Sequence, residues 1–209
     1  AAFLRTRSTA LSCPLAWFAL DFDQPLLRLH RALGKPTCGV REAHLWLALA
    51  GIEHDLGPTA AMPLSLGDRA RYNLGNLAAG ALAGALLGIA PGTIARVLAR
   101  FGQDPDDNPG RLQQWMFGST RVVVDYAHNP EGLRSLLDAL DASRRGGRLG
   151  LLLGHAGNRQ DEDLRAVAHV AAAYAPERVI LKELPGYARG READSVPALM
   201  HAQLLADGL

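Results

Sequence analysis

The strongest constraint on the fold is a short apolar run, residues 122–124, that is followed by turn residues and then by a helical pattern. Three consecutive valines, Val122 to Val124, are too few for a helix and predict a central strand buried on both faces of a parallel sheet. Asn129 can cap the next helix, Pro130 suits its first position and Glu131 favours the positive end of its dipole. The sequence therefore predicts a helix that begins at about Pro130.

The loop between this strand and this helix contains Asp125, His128 and Asn129. Ligands of open α/β sheets collect at the carboxyl ends of strands and at helix N-termini, so the position favours a site. Asn-Pro at such a turn is also ordinary, and a loop Asp or His is often only solvated. These residues alone leave both interpretations open.

Strands and helices alternate through the rest of this half. After the first strand, at 121–125, the predicted elements are a helix at 130–142, a strand at 149–153, a helix at 161–173, a strand at 178–181 and a helix at 194–205. Three strand–helix repeats predict an α/β fold with a parallel, Rossmann-like sheet. The dinucleotide-binding motif G-x-G-x-x-G is absent from the sequence.

The first half is less regular. It predicts strands at 15–20, 37–40, 44–50, 52–56 and 62–66, and helices at 24–33, 73–88 and 91–101. Residues 102–110 are rich in Asp, Asn, Gly and Pro, which indicates an exposed linker and a domain boundary.

One apolar segment, residues 74–90, needs to be distinguished from a membrane span. Gly80, Gly84 and Gly88 form overlapping G-x-x-x-G steps. The segment is short for a bilayer, contains Asn76 and stops at Pro91, which favours a buried helix whose glycines let a neighbouring backbone approach.

Composition excludes several classes of protein. The 209 residues carry a net charge of +1 with no basic face, so nucleic acid is not an expected partner, and neither is a membrane. Two cysteines make no disulfide framework, which fits a cytoplasmic protein. Residues 1–10 lack the pattern of a signal peptide. The oligomeric state stays open, with a homo-oligomer allowed.

The loop string Asp125-Tyr126-Ala127-His128-Asn129-Pro130 resembles the motif that opens the C-terminal domain of the Mur ligase superfamily. These ATP-dependent amide-bond ligases include the peptidoglycan-precursor ligases, folylpolyglutamate synthetase and cyanophycin synthetase. The resemblance implies ATP and Mg²⁺ as cofactors and an amino-acid or peptide substrate. It implies that Asp125 binds the ribose or phosphates, and that His128 and Asn129 line the nucleotide cleft.

A second motif lies at the start of the long helix, in Tyr72-Asn73-Leu74-Gly75-Asn76-Leu77-Ala78-Ala79. Asn73 and Asn76 are three residues apart, so their amides point the same way, and an amide offers the donor–acceptor pair that an adenine edge requires. Helix capping by Asn73 is the alternative. The string resembles the family motif H-N-x-x-N-x-x-A-A, whose asparagines contact adenine, with Tyr72 at the first position.

Two further loops match the family. Arg111, after Gly110, resembles an arginine that contacts the nucleotide's phosphate or ribose, a role suited to its planar fork. The segment Gly154 to Asp161 resembles the loop G-x-x-G-D-R that faces the incoming amino acid, which implies that Gly157, Asn158 and Arg159 bind substrate. Asn158 replaces the family's Asp, and an acidic helix start alone also explains the acids that follow.

Among the branches of the family, cyanophycin synthetase is the most similar in two segments, residues 178–183 and Arg189-Gly190-Arg191. The resemblance assigns residues 1–115 to the back part of a central ATPase domain and 116–209 to most of a C-terminal domain. The family's P-loop is absent from this sequence, and Gly34-Lys35-Pro36-Thr37 lacks its glycine spacing. Magnesium ligands are expected outside the chain, and no catalytic residue can be assigned within it.

The sequence therefore predicts a fragment of an ATP-dependent acid–amino-acid ligase, inactive alone, in which three loops and the amide-bearing helix form the nucleotide pocket. A non-catalytic adenine-nucleotide-binding or regulatory module derived from such a ligase is the main alternative. A plain α/β interaction domain is another. If the parent is an enzyme, a peptidoglycan-precursor or folylpolyglutamate-type ligase is a further alternative.

Overall fold

The structure is a computed structural model that describes residues 13–144, 146–184 and 186–209. The prediction about a signal peptide in residues 1–10 lies outside the described residues. The chain divides into two compact units, one up to Val124 and one from Asp125 to Leu209. Both combine helices with strands, which confirms the α/β fold class. The assignment of residues 1–115 and 116–209 to two family domains stays a prediction.

A four-stranded sheet with the order β1-β2-β3-β4 forms the centre of the first unit. Its strands are β1 (Trp17–Asp21), β2 (Thr37–Arg41), β3 (His44–Leu49) and β4 (Ile52–Pro58). β1 and β2 are parallel, and the other two pairings are antiparallel. Gly39 permits the close approach of β1 to β2, since a Cβ there would lie 2.7 Å from the carbonyl oxygen of Ala19. The predicted strands of this region are confirmed to within a few residues.

Three helices accompany the sheet: α1 (Pro25–Ala32), α2 (Arg71–Leu86) and α3 (Pro91–Leu98). α2 buries Leu74, Leu77 and Ala81 in a core that also contains Leu45 and Leu47 of β3. Because apolar burial is the main favourable term in folding, this contact holds α2 on the sheet. No helix in the described part of the chain is long and apolar enough to cross a membrane.

The proposed reason for the α2 glycines is wrong. No described atom lies within 4 Å of a Cβ built on Gly80, and a Cβ on Gly84 would meet only side chains, those of Ile89 and Ile94. Gly88 follows the helix with φ +87°, a conformation that glycine adopts without strain. These glycines therefore do not admit a neighbouring backbone.

The strand predicted at 62–66 is also wrong, because the chain there forms a short 3₁₀ turn, Pro63–Ser65. Proline fixes φ near the value of a helical turn and has no N–H to donate to a strand ladder. Residues 102–110, predicted as a linker, lie within the first unit and contain a second turn, Pro105–Asp107, capped by Asp104.

The valine run forms a hairpin. β5 (Gln113–Phe117) pairs antiparallel with β6 (Thr120–Val124) in a two-stranded sheet, and the sequence analysis missed β5. Val122 and Val124 are 38% and 44% exposed, so the prediction of a central strand buried in a parallel sheet is wrong. A β-branched run favours any pleated, half-buried strand, and Gly118, at φ +60°, allows the tight turn that returns β5 onto β6.

The second unit contains α4 (Pro130–Arg144), β7 (Gly150–Leu153), α5 (Asp161–Ala173), β8 (Arg178–Leu181) and α6 (Ser195–Ala206). β7 and β8 are parallel and joined through α5, which is the predicted strand–helix–strand arrangement. Leu151, Leu153 and Val179 face a core of helix residues, whereas Leu152 is 62% exposed. The carboxyl ends of β7 and β8 consequently place their two following loops side by side.

Candidate functional site

The two asparagines of α2 are hydrogen-bonded to each other. Asn76 donates from Nδ2 to Oδ1 of Asn73 at 3.0 Å, and Asn73 donates to the carbonyl oxygen of Leu64 at 2.9 Å. The residue that precedes α2 is Ala70, so Asn73 is not the helix cap. The predicted orientation of both amides to one side is confirmed, and Asn73, 8% exposed, is fixed in position by these two bonds.

Arg111 lines a cavity of about 250 Å³ in the first unit. Leu64, whose carbonyl oxygen accepts from Asn73, lines the same cavity. The turn before Arg111 is ordered: Gly110 has φ +72° and donates to Oε1 of Gln113 at 2.6 Å. Leu64 therefore connects the asparagine pair with the cavity that Arg111 lines, and all four residues belong to the first unit.

In the second unit, Asp125 and Asn129 order the loop that precedes α4. Oδ1 of Asp125 accepts from the N–H of Ala127 at 2.8 Å, and Oδ1 of Asn129 accepts from the N–H of Gly132 at 2.7 Å. The second bond confirms Asn129 as the N-cap and Pro130 as the start of the helix. The ring of His128 lies 4.7 Å from that of Tyr126, centroid to centroid.

The loop after β7 is fixed by its neighbour after β8. Gly157 donates to the carbonyl oxygen of Tyr187 at 2.8 Å, and a Cβ on Gly157 would lie 2.0 Å from the carbonyl oxygen of Ala188. Only a glycine fits at this crossing.

Arg191 closes the same crossing. Its guanidinium donates to the carbonyl oxygens of Gly157 and Arg159, at 2.8 and 2.7 Å, and to Oδ1 of Asp161 at 2.6 Å. The sequence analysis noted this arginine only within Arg189-Gly190-Arg191, as part of the resemblance to cyanophycin synthetase. The sequence around Arg191 does not indicate this role, because the three acceptors lie about thirty residues away along the chain.

The predicted substrate residues differ in surroundings. Asn158 is exposed, and Arg159 is half-buried with no side-chain hydrogen bond or ion pair among the described residues. Between them and β7 lies His155, which is 8% exposed. Burial, with smaller effects of the charges of Arg159 and His128, lowers the pKa of His155 below its ordinary value. Sequence reasoning quoted this histidine within the loop but gave it no role.

The segment Gly34-Lys35-Pro36-Thr37 contains a Gly-Lys pair but lacks the glycine spacing of a P-loop. It leads directly into β2, whereas a P-loop leads into a helix. Within the described residues, no group of three His, Cys, Asp or Glu side chains is arranged to hold a metal ion.

Comparisons with known proteins show what this chain is similar to. Residues 110–205 match the family model of the Mur ligase, glutamate ligase domain. The resemblance indicated by the motifs is therefore confirmed.

Relatives fall into two groups. The chain is 28% identical over 186 residues to the cyanophycin synthetase of Trichormus variabilis, covering 89% of this chain and 20% of that protein. It is 32% identical over 199 residues to the UDP-N-acetylmuramoyl-L-alanyl-D-glutamate--2,6-diaminopimelate ligase of Alkalilimnicola ehrlichii, covering 88% and 39%. The chain thus spans about a fifth of the length of the cyanophycin synthetases that it matches.

Proposed function

We propose that the chain supplies nucleotide-binding and amine-substrate-binding residues to an ATP-dependent acid–amino-acid ligase that is similar to cyanophycin synthetase. The proposal is carried by the hydrogen-bonded pair of Asn73 and Asn76, which is anchored on Leu64, a residue of the cavity that Arg111 lines. An exposed amide can bind an adenine edge, and a guanidinium can bind phosphate oxygens.

In the proposed reaction, a substrate carboxylate oxygen takes the γ-phosphoryl group of ATP and ADP leaves. The amine of an amino acid then attacks the acyl carbon, phosphate leaves and the amine loses a proton. Mg²⁺ would neutralise charge on the phosphates, with ligands outside this chain. The residues of this chain bind and orient: Asn76 and Arg111 hold the nucleotide, and Arg159 holds the amino acid. The nucleotide roles of Asp125, His128 and Asn129 remain predictions.

Nucleotide titration by calorimetry tests this proposal on the 209-residue chain. Asn76→Ala and Arg111→Ala should each weaken ATP binding about tenfold, which corresponds to about 1.4 kcal/mol. Arg148→Ala is the matched control, since Arg148 is exposed and pairs with Glu177 at the surface. Only Asn76→Ala should reduce the preference for ATP over GTP. Equal affinity of all variants, with circular dichroism unchanged, would contradict the proposal.

Turnover separates the ligase from a non-catalytic nucleotide-binding module. We expect no ATP hydrolysis by the 209-residue chain, because it contains no P-loop. Robust turnover would contradict this. A P-loop encoded in frame upstream of Ala1 supports the ligase, and a start codon close to Ala1 supports the module.

A second candidate is a ligase for a peptidoglycan precursor. It is favoured by the 32% identity to the diaminopimelate ligase over 88% of this chain. Assay of the full-length gene product with arginine, aspartate and 2,6-diaminopimelate as amines distinguishes the two: ligation of diaminopimelate alone would replace the cyanophycin-type assignment.

A further inference from the structure

The layer between α1 and the sheet of the first unit contains three buried side-chain atoms without a hydrogen-bond partner among the described residues. They are the indole Nε1 of Trp17, the imidazole Nδ1 of His30 and the hydroxyl Oγ1 of Thr37. Buried polar atoms are nearly always hydrogen-bonded, because desolvation without a replacement bond costs free energy. Three such atoms in one layer therefore indicate a partner that the side chains of this layer do not supply.

Strand pairing places Trp17 and Thr37 side by side. The two residues are Cα partners in the parallel pair of β1 and β2, so both side chains leave the sheet on the same face. On β3 the partner of Thr37 is Ala48, which belongs to the core cluster that contains Leu27 of α1. The face that Trp17 and Thr37 share is therefore the one that α1 covers.

His30 reaches the same place from α1. It lies three residues after the buried Leu27, which puts the two side chains on one side of the helix. Its ring contacts the ring of Trp17 edge-on, with 5.8 Å between the centroids. Trp17 and Thr37 are the first residues of β1 and β2, so the three unpaired atoms lie together at the amino ends of these strands.

The surroundings restrict what can bind between these atoms. Thr37 is fully buried, so its hydroxyl is out of reach of a molecule as large as an amino acid or a nucleotide. A water molecule can occupy such a place and makes about three hydrogen bonds there. The neighbour of Thr37 on β3 is the small Ala48, which leaves more room beside the hydroxyl than a larger side chain would.

The three atoms also have complementary hydrogen-bonding roles. An indole N–H only donates, whereas a hydroxyl donates and accepts, and a nitrogen of a neutral imidazole does one or the other. A water molecule has two protons to donate and two lone pairs that accept. It can therefore pair with all three atoms at once.

We propose that one internal water molecule is bound between Trp17, His30 and Thr37. It accepts from the indole N–H of Trp17 and forms its other bonds with Oγ1 of Thr37 and Nδ1 of His30. The water joins α1 to the first two strands of the sheet and is part of the folded structure. The site does not depend on the proposed nucleotide-binding and substrate-binding roles.

A crystal structure of the 209-residue chain tests the site directly. We expect one ordered water within about 2.7–3.2 Å of the three atoms. Absence of density at this position would overturn the proposal. So would a protein side chain that occupies the position and bonds to these atoms.

Thr37→Val tests the energetics, because it replaces the hydroxyl by a methyl group of similar size. With the water bound, the change removes one of its partners, so the urea midpoint should fall. Without the water, the change removes an unpaired buried hydroxyl, so a midpoint that rises or stays constant contradicts the proposal. Thr59→Val is the matched control, since the hydroxyl of Thr59 donates directly to the carbonyl oxygen of Ala43 at 2.9 Å and its loss should lower the midpoint.

The indole N–H signals give a readout that is independent of stability. Weakening or loss of the water in Thr37→Val takes the acceptor from Trp17, so the NMR signal of its Nε1–H should move upfield. The signal of Trp115, on β5, should stay in place. An unchanged Trp17 signal in the folded variant would refute the site, and if Thr37→Val does not fold, the crystal structure of the unmodified chain still decides.

Discussion

Arg191 donates from Nε to the carbonyl oxygen of Gly157 at 2.8 Å, joining two loops that are far apart in sequence. The same guanidinium also holds the carbonyl of Arg159 and the carboxylate of Asp161. The backbone that carries Arg159 is consequently fixed, while the side chain of Arg159 is left without a partner among the described residues.

Arg191→Met should lower the free energy of unfolding by about 1–3 kcal/mol, because three partly buried acceptors lose their donor. Urea denaturation followed by circular dichroism measures this. Arg189→Met is the control, since Arg189 is exposed and its guanidinium lies over the ring of Tyr187. Identical urea midpoints for the two variants would show that the bonds of Arg191 between the two loops do not contribute to stability.

Gly157→Ala should destabilise the same crossing by about 1–3 kcal/mol, since its Cβ would overlap the carbonyl of Ala188 and the backbone would have to move. Gly80→Ala provides the opposite case. No described atom lies near its Cβ, and alanine in a helix interior is about 0.5–1 kcal/mol more favourable than glycine. Thermal unfolding of both variants shows whether each change raises or lowers stability. Stabilisation by Gly157→Ala would refute the packing argument.

The sequence predicted an element correctly where the residues that determine the element lie within it. α5 and β8 match their predicted ranges, because acidic residues at the helix start and a compact apolar run are local signals. β5 was missed because a half-exposed hairpin strand has no such run. The partner of Val122 to Val124 was predicted wrongly because a β-branched run does not by itself specify which strand it pairs with. Here the turn at Gly118 brings β5 onto β6.

The same difference between local and long-range contacts applies to the candidate site. Capping by Asn129 follows from its place before Pro130, and the Asn73–Asn76 bond follows from helical spacing. The burial of His155 and the bonds of Arg191 arise from the crossing of two loops, which no local pattern encodes.

The hairpin can be tested by Val122→Thr. For a strand buried on both faces, the new hydroxyl would cost more than about 1 kcal/mol, whereas at a 38% exposed position the change should stay within about 0.5 kcal/mol. Leu47→Ala, in the core of the same unit, should cost about 2–5 kcal/mol and shows that the urea assay responds to buried positions. A large effect at Val122 would restore the central-strand interpretation.

The two cysteines should differ sharply in reactivity. Burial raises the pKa of Cys38 to about 12, so its thiolate is scarce at neutral pH, whereas Cys13 is exposed. A disulfide reagent should modify one thiol rapidly and the second only in urea. Cys13→Ser should abolish the rapid phase, and a rapid reaction of that variant would contradict the buried position of Cys38.

The stability of the chain should fall as the pH decreases below the ordinary histidine pKa, and His155 should account for part of that loss. Burial first, then Arg159 and His128, lowers the pKa of His155 from 6.5 in the folded state, so the unfolded chain binds more protons in the range just below that value. Stabilisation by neutral His155 is therefore complete above about pH 6.5 and is lost as the pH falls towards the folded pKa.

Urea midpoints at about pH 7.5 and about pH 5.5 measure this loss, and His155→Gln should show a smaller difference than the unmodified chain. His30, whose pKa is also lowered by burial and by Lys35, contributes a dependence of the same sign in every variant, so the comparison between variants isolates His155. If His155→Gln keeps the full pH dependence, the lowered pKa of His155 does not contribute to the loss of stability at low pH.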